Sequence, residues 1–363
     1  MEDLLPIINR FAVTGNITAV SQLGSGHIHE TFYLKTGSDN TDDYVLQRIN
    51  THVFRNPGAV MHNIRIVTDH IRNKLEISGE TDVKRRVLQP VVTVNGELMV
   101  NDATGSVWRC FVFIPDHKTF DCAVNVAQVY EGGKAYGQFL QLLSDVPADT
   151  IRETIPGFHD LDLRLRQFEE SVKNGSKERL EETRDEIELL MFRKDEMRTI
   201  LELGKRGMIP VRVVHHDTKI NNVLFDSGNK ALCVIDLDTV MPGHVHDDFG
   251  DSIRTFTNTG EEDDADLTKV SMNIHFFEAY AGGFLETAGA MLNKAEKEHL
   301  ALSARVMTYM QTLRFLADYL NGDTYYRIHH PKHNLQRAMA QLKLLLSMEE
   351  QYGEMVRIVA GIR

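Results

Sequence analysis

HHDTKINNVLFD, residues 215–226, puts two histidines, a carboxylate and two asparagines ahead of a short apolar run. Three chemistries use such a set: a metal centre, a hydrolytic site, or a base that takes a proton from a hydroxyl. The flanks help to separate them. Residues 211–214, VRVV, read as a buried extended segment, so His216 and Asp217 fall in a loop at its end. Asn222 lies five residues past Asp217 and opens a second strand-like run, NVLF. A turn at DSGNK leads into ALCVID, which Asp236 closes, with Asp238 two residues on. A hairpin of this kind faces Asn222 and Asp236 into one small space. An amide and a carboxylate there suit Mg²⁺, which takes one or two carboxylates and completes its octahedron from water and phosphate oxygens. Asp217 then stands close by as the base or orienter of a hydroxyl. Joint metal ligation by His215, His216 and Asp217 is awkward, because neighbours on an extended segment point opposite ways. Any one of these aspartates alone is as well explained as a turn cap or a strand end; the chemistry rests on the joint pattern.

The elements that must position these residues fall into two halves. Residues 1–115 are sheet-rich: ITAVSQL, ETFYLKT, DYVLQRI, RRVLQPVVT, GELMVND and SVWRCFVFI are short, β-branched or aromatic, and punctuated by Gly, Asn and Asp. One helix interrupts them, with Val60, Ile64, Val67 and Ile71 at helical spacing and Pro57 at its start. Residues 116–363 are mainly helical. Helices are expected at 124–143, at 177–207 as one long element or two joined ones, and near 265–289, 293–320 and 333–360. The expected division is an N-terminal lobe over 1–115 and a C-terminal lobe over 116–363, with Pro115 interrupting the strand FVFI. Trp108 is expected in the core. His244 and His246 read as loop histidines, and HHPKHN (329–334) as a helix-entry loop.

Composition narrows the function classes. The chain has 363 residues, 42% of them hydrophobic, enough for a sizeable core and for two domains. A formal net charge of −12 without a dense Lys/Arg block argues against a nucleic-acid partner. Cys110, Cys122 and Cys233 are widely spaced, which fits a reducing compartment. The first residues do not read as a signal peptide, and no apolar run reaches the roughly 20 residues that span a bilayer. A cytoplasmic protein, monomeric and without a membrane partner, is the expectation.

His–x–Asp, four residues, Asn, then an Asp at a strand end resembles the site of protein kinases and their relatives. On that resemblance His215 takes the first position, Asp217 the base, and Asn222, Asp236 and Asp238 the metal region. Asp236-Leu237-Asp238 replaces the Asp-Phe-Gly of protein kinases, and no Ala-Pro-Glu segment follows. The small-molecule branch is thereby favoured: a bilobal α+β fold like that of the aminoglycoside phosphotransferases, which includes choline and homoserine kinases. Gly24 and Gly26, in LGSGHIHETFYL, would bring backbone amides to phosphates, with His27 and His29 just after. Gln47 occupies the place of the nucleotide-clamping lysine and Arg48 is its neighbour.

Four stretches carry a closer likeness: GSGHIHETFYL, HHDTKINNVLFD, VIDLDTVMPGHVHDDFGDSIR (234–254) and MQTLRFLADYLNGDTYY (310–326). They resemble the N-acetylhexosamine 1-kinases, some of which also carry glutamine in that strand. The resemblance implies ATP- and Mg²⁺-dependent phosphorylation of the C1 hydroxyl of N-acetylglucosamine or N-acetylgalactosamine to the α-1-phosphate. It implies Asp217, Asp247, Arg314 and Tyr325 at the sugar, and Asp248 ordering the loop around Asp217. Arg314 could equally snorkel beside the stripe Leu313, Leu316, Leu320. Another small-molecule kinase, of the choline, homoserine or aminoglycoside class, is the enzymatic alternative. Gln47 raises that of a non-catalytic nucleotide-binding module.

Overall fold

The computed structural model describes residues 4–23, 28–37 and 41–362. An antiparallel sheet is built from β1 (Ile17–Gln22), β2 (Glu30–Thr36), β3 (Tyr44–Ile49), β4 (Pro90–Val91), β5 (Val100–Asn101) and β6 (Val107–Val112). The order is β1-β2-β3-β6-β4, with β5 also on β6. Alternation along the strands divides the sheet into two faces. Leu34, Tyr44, Leu46, Trp108 and Cys110 pack on Ile8 and Phe11. Ile49, Val107 and Phe111 face α1 (Pro57–Ile77). In α1, Pro57 occupies the first turn and the Asn56 side chain accepts the Ala59 N–H. Val60, Ile64, Val67 and Ile71 form its buried stripe, as their spacing predicts.

The remainder is mainly helical: α2 (Val126–Leu142), α3 (Leu161–Asn174), α4 (Lys177–Glu182), α5 (Arg184–Met197), α6 (Thr199–Lys205), α7 (Val245–Phe256), α8 (Ile274–Ala288), α9 (Leu300–Leu320), α10 (His333–Glu350) and α11 (Tyr352–Gly361). Two small antiparallel ladders lie among them. β7 (Arg212–Val214) pairs with β10 (Met241–Gly243), and β8 (Val223–Phe225) with β9 (Ala231–Val234).

Several expected boundaries move. The 177–207 segment is three helices, interrupted where the buried Thr183 turns its hydroxyl back onto the Arg179 carbonyl and again at Arg198. The expected 265–289 helix begins only at Ile274, where Asn273 accepts the N–H groups of His275 and Phe276. Helices α3 and α7 are absent from the sequence reading, and His246 lies buried within α7 rather than in a loop. HHPKHN does lead into a helix, α10. Pro115 does not mark a break in packing, because one core unites α1 with Phe139, Leu143, Val213, Leu237 and Val240.

The helical half is tied together where α2 crosses α8. A Cβ built on Gly283 would lie 2.1 Å from the Tyr130 carbonyl oxygen, and one on Gly133 2.3 Å from that of Tyr280. The two backbones touch, and only glycine permits it. Gly283→Ala should therefore lower stability by about 1–3 kcal/mol through overpacking. Gly353→Ala, with open space around the site, should leave the thermal midpoint close to that of the parent. Differential scanning calorimetry of both variants checks the contrast.

Candidate active site

β7 delivers the chain to His215 and stops. The His215 ring is buried edge-on against Tyr136 and Phe139 of α2, both with centroids at 5.6 Å. Its Nδ1 accepts the Asp217 N–H, so Nε2 carries the proton and donates to the Ile235 carbonyl at 2.9 Å. Burial lowers its pKa. His215, expected among the catalytic residues, is thus a strut between the loop and the end of β9. His216 follows with φ at +67°, in the left-handed region. That turn is held by α7: Asp248 accepts the N–H groups of His215 and His216 at 2.8 and 2.7 Å. Thr218 donates its hydroxyl to the Asp248 carbonyl and its N–H to Asp251. Asp248 has the loop-ordering place expected of it.

The outcome is that Asp217 reaches the surface of the cleft with its side chain 22% exposed. One carboxylate oxygen pairs with Lys219 Nζ at 2.9 Å and the other accepts from Asn222 Nδ2 at 3.2 Å. Burial acts to raise the Asp217 pKa, but Lys219, His215 and Asn222 together hold it below the ordinary value. Lys219, two residues past Asp217, is a cation the sequence reading passed over. The β8–β9 hairpin places Asn222 beside the end of β9, where Ile235 N–H donates to the Asn222 carbonyl. Asp236 then turns with φ at +58°. Desolvation by the surrounding protein, then the Asp238 and Asp217 charges, push its carboxyl up to about 7, although the residue itself is open to solvent. An open carboxylate with too little positive charge around it, one residue past the Ile235 that bonds Asn222, has the donor chemistry of a divalent-cation site.

Asp238 stands differently from the metal role expected of it. Its oxygens accept from Arg109 Nη1 and Nη2 at 2.5 and 2.9 Å, and from His29 Nε2 at 2.5 Å. Burial alone would raise this carboxyl, but Arg109 and His29 hold it well below the usual carboxylate range. In this arrangement it is an ion-pair acceptor, which leaves Asn222 and Asp236 as the candidates for holding a metal. Gln47 does face the cleft; its Oε1 accepts from Arg109 Nε at 2.9 Å. Arg48 does not. One residue on, it points to the opposite face and pairs with Glu30 at the surface. Trp108 is core, its Nε1 donating to Asp102. Gly24, Gly26 and His27 lie outside the described residues.

Beyond Asp217 lies a second group of side chains. Arg314 sits over the rings of Phe158 and Tyr326, with centroids at 5.6 and 5.7 Å. Arg164 donates to the carbonyls of Gly157 and Phe158, and burial followed by the Arg314 charge lowers its pKa. Among the described residues neither arginine has a carboxylate partner, and Arg164 Nε and the Tyr326 hydroxyl are buried without any hydrogen bond. Tyr325, expected at the sugar, is 73% exposed. Asp318 accepts three consecutive N–H groups, from Thr324 to Tyr326. That tight turn sends Tyr325 outward and Tyr326 inward. Asp247 closes a capping box with His244 at the start of α7. It also stands near His159 and His216, whose Nδ1 atoms are 3.0 Å apart.

The phosphotransferase enzyme family model matches residues 19–284, and the chain belongs to that family. Solved structures of the same fold match over almost the whole length. A microcompartment-associated aminopropanol kinase is 16% identical with a TM-score of 0.63, covering 99% of this chain and 98% of that one. A spectinomycin phosphotransferase in complex with ADP and spectinomycin is 14% identical, TM-score 0.57, at the same coverage. A choline kinase from Cryptosporidium parvum Iowa II is 12% identical, TM-score 0.53, covering 98% and 97%. These likenesses are of fold, and they make this chain a bilobal, kinase-like α+β protein. Among the described residues no helix is long and apolar enough to cross a membrane.

Buried histidines around α7 give a pH dependence. His246 donates through Nε2 to the Glu296 carbonyl, and burial holds its pKa down at about 3. Its unfolded value is near 6.5, so its contribution is complete above that pH. It is lost as pH falls, because the unfolded chain takes up a proton that the folded one refuses. Asp236 and Asp248, pushed up to about 7 and about 8 chiefly by desolvation, act in the opposite sense over the same range. The His246 contribution is therefore read by difference. Between pH 7.5 and 5.5 the parent should lose more stability, or gain less, than His246→Gln, as measured by urea unfolding at both pH values.

Proposed function

We propose that the protein transfers the γ-phosphoryl group of ATP to the C1 hydroxyl of an N-acetylhexosamine, N-acetylglucosamine or N-acetylgalactosamine, releasing ADP and the sugar α-1-phosphate. The observation that carries the acceptor class is the pair Arg164 and Arg314 beyond Asp217, both half-buried and, among the described residues, without a carboxylate partner. Acceptors bearing ammonium groups, such as choline, aminopropanol or an aminoglycoside, would meet unfavourable charge there. A neutral sugar offers hydroxyl oxygens and an acetamido carbonyl, which five-donor guanidinium groups suit. Phe158 supplies an apolar wall, and the unpartnered Tyr326 hydroxyl a further donor.

The geometry supports the following roles. Asp217 takes the C1 hydroxyl by hydrogen bond and accepts its proton as the hydroxyl oxygen forms its bond to the γ-phosphorus. The bond from phosphorus to the β–γ bridging oxygen breaks, and ADP keeps the electron pair. Lys219 and Asn222 fix both oxygens of Asp217, so the carboxylate is an orienter first and a base second. Phosphoryl transfer of this loose kind asks little of a base before the transition state. Asn222 and Asp236 would hold Mg²⁺, which supplies charge neutralisation of the phosphate oxygens when bound.

Two experiments test this. In an ADP-release assay with Mg-ATP, N-acetylhexosamines should be turned over well above choline, 1-aminopropan-2-ol, homoserine and spectinomycin; turnover confined to any of those four contradicts the assignment. Arg164→Ala and Arg314→Ala should raise the KM for sugar and leave that for ATP near its starting value. The carboxylates should separate in kind. Asp217→Asn should lose about 10²–10⁴-fold in kcat while retaining Mg-ATP affinity. Asp236→Asn should also weaken Mg-dependent nucleotide binding. The reverse pattern in calorimetric titrations would mean the two roles are exchanged.

A further inference from the structure

The third strand has no cation where a phosphate-binding lysine is expected, and a cation stands one strand over. β3 and β6 pair antiparallel with Gln47 directly opposite Arg109, and opposed residues share a face and touch. The face is the one toward α1, where Arg109 Nη1 lies 4.0 Å from the Met61 sulfur. Gln47 is clamped at both ends of its amide, accepting from Arg109 Nε at 2.9 Å and donating to Thr31 Oγ1 at 3.1 Å. The two terminal nitrogens of Arg109 grip Asp238, two residues past the metal-site Asp236. Both partners are almost wholly buried, at 3% and 2% side-chain exposure.

Three strands and the metal turn thus converge on one guanidinium. His29 opens toward the same carboxylate from the start of β2, and its ring is fixed by the Asn50 N–H. A guanidinium has five N–H groups in a plane. Nε–H is spent on Gln47, one N–H of each terminal nitrogen on Asp238, and a second of Nη1 faces the Met61 sulfur. The remaining Nη2 proton has no partner among the described residues. An arginine can hold a carboxylate along one edge and offer another donor to a second anion, which a lysine does only as a point charge. Gln47 has the shape of an orienter for that plane, since its amide oxygen accepts where a lysine would repel.

We propose that Arg109 is the cation this site presents to the phosphates of the nucleotide, standing in from β6 for the lysine absent from β3. This rests on the reading of the cleft as a Mg-nucleotide site and involves no acceptor. The competing role is that of a strut joining the sheet to the metal turn, with no phosphate contact.

The full-length protein is titrated calorimetrically with Mg-ATP, Mg-ADP and, by competition, adenosine. Arg109→Met should weaken Mg-ATP and Mg-ADP roughly 10- to 100-fold, the range for hydrogen bonds to charged groups, and leave adenosine unchanged. Gln47→Lys combined with Arg109→Met should recover most of the lost Mg-ATP affinity, because the register puts the new ammonium where the guanidinium was. Unchanged Mg-ATP affinity in Arg109→Met overturns the proposal, and so does a parallel loss of adenosine and ATP. If Arg109→Met alone does not fold, the double variant decides. Near-parent Mg-ATP affinity supports the proposal, and adenosine binding with Mg-ATP affinity lost overturns it. A parent protein that binds Mg-ATP yet turns over no amino sugar defeats the acceptor assignment and leaves this inference standing. A parent that binds no nucleotide defeats both.

Discussion

Two carboxylates two residues apart share one turn: Asp238 is buried and fully paired, whereas Asp236 is exposed and has no partner among the described residues. Asp238 has Arg109 and His29; Asp236 has neither, and loss of hydration against the surrounding protein together with its acidic neighbours makes its charge costly. A carboxylate crowded by like charges and left without a cation is costly, and a chain that keeps one at an open position leaves room for a cation to meet it. Much of the surrounding structure follows from that imbalance. Asn222 comes alongside on the β8–β9 hairpin, and Lys219 neutralises Asp217 rather than Asp236. The positive charge still missing at Asp236 is what a divalent ion carrying phosphates would bring. Stability alone would favour a less acidic turn.

The loop from His215 to Thr218 is tied down from elsewhere in the chain. Its backbone donors are answered by acids on α7, with Asp248 taking two N–H groups and Asp251 a third. Asp251 is itself held by Arg254 one turn on. The loop therefore depends on a helix that comes after the Asp236–Asp238 turn in the chain. A left-handed residue at His216 survives because both flanking amides are fixed. Pre-organised donors and acceptors of this sort reduce reorganisation as charge moves during reaction.

Much of the fold was legible in sequence, for identifiable reasons. The strands and α1 announce themselves by period, and Asn222 and Asp236 by their places at the ends of two apolar runs. The misses are equally physical. Helix α7 has its buried stripe, Val245, Phe249, Ile253 and Phe256, but its acids and glycine mask that period, and His244 and His246 read as loop residues. The role of Arg109 is set by the β3–β6 register, a non-local pairing that no local pattern encodes. The exchange of Tyr326 for Tyr325 depends on one buried acid, Asp318, gathering three amides. Arg48 could have been rejected from alternation alone, since it and Gln47 cannot face the same way. Lys219 carried a signal as well, a cation inside the motif that holds Asp217 and Asn222.

The central claim is that the phosphoryl group ends on the anomeric oxygen of an amino sugar, placed there by Asp217. The most direct measurement is the structure of the product made from N-acetylglucosamine and Mg-ATP by the purified protein, read by phosphorus and proton nuclear magnetic resonance. The account predicts a phosphorus resonance coupled to the anomeric proton, with the small proton–proton coupling of an α-configured C1. A phosphorus coupled instead to the two C6 protons would contradict it and would mean that the cleft presents the other end of the sugar to Asp217.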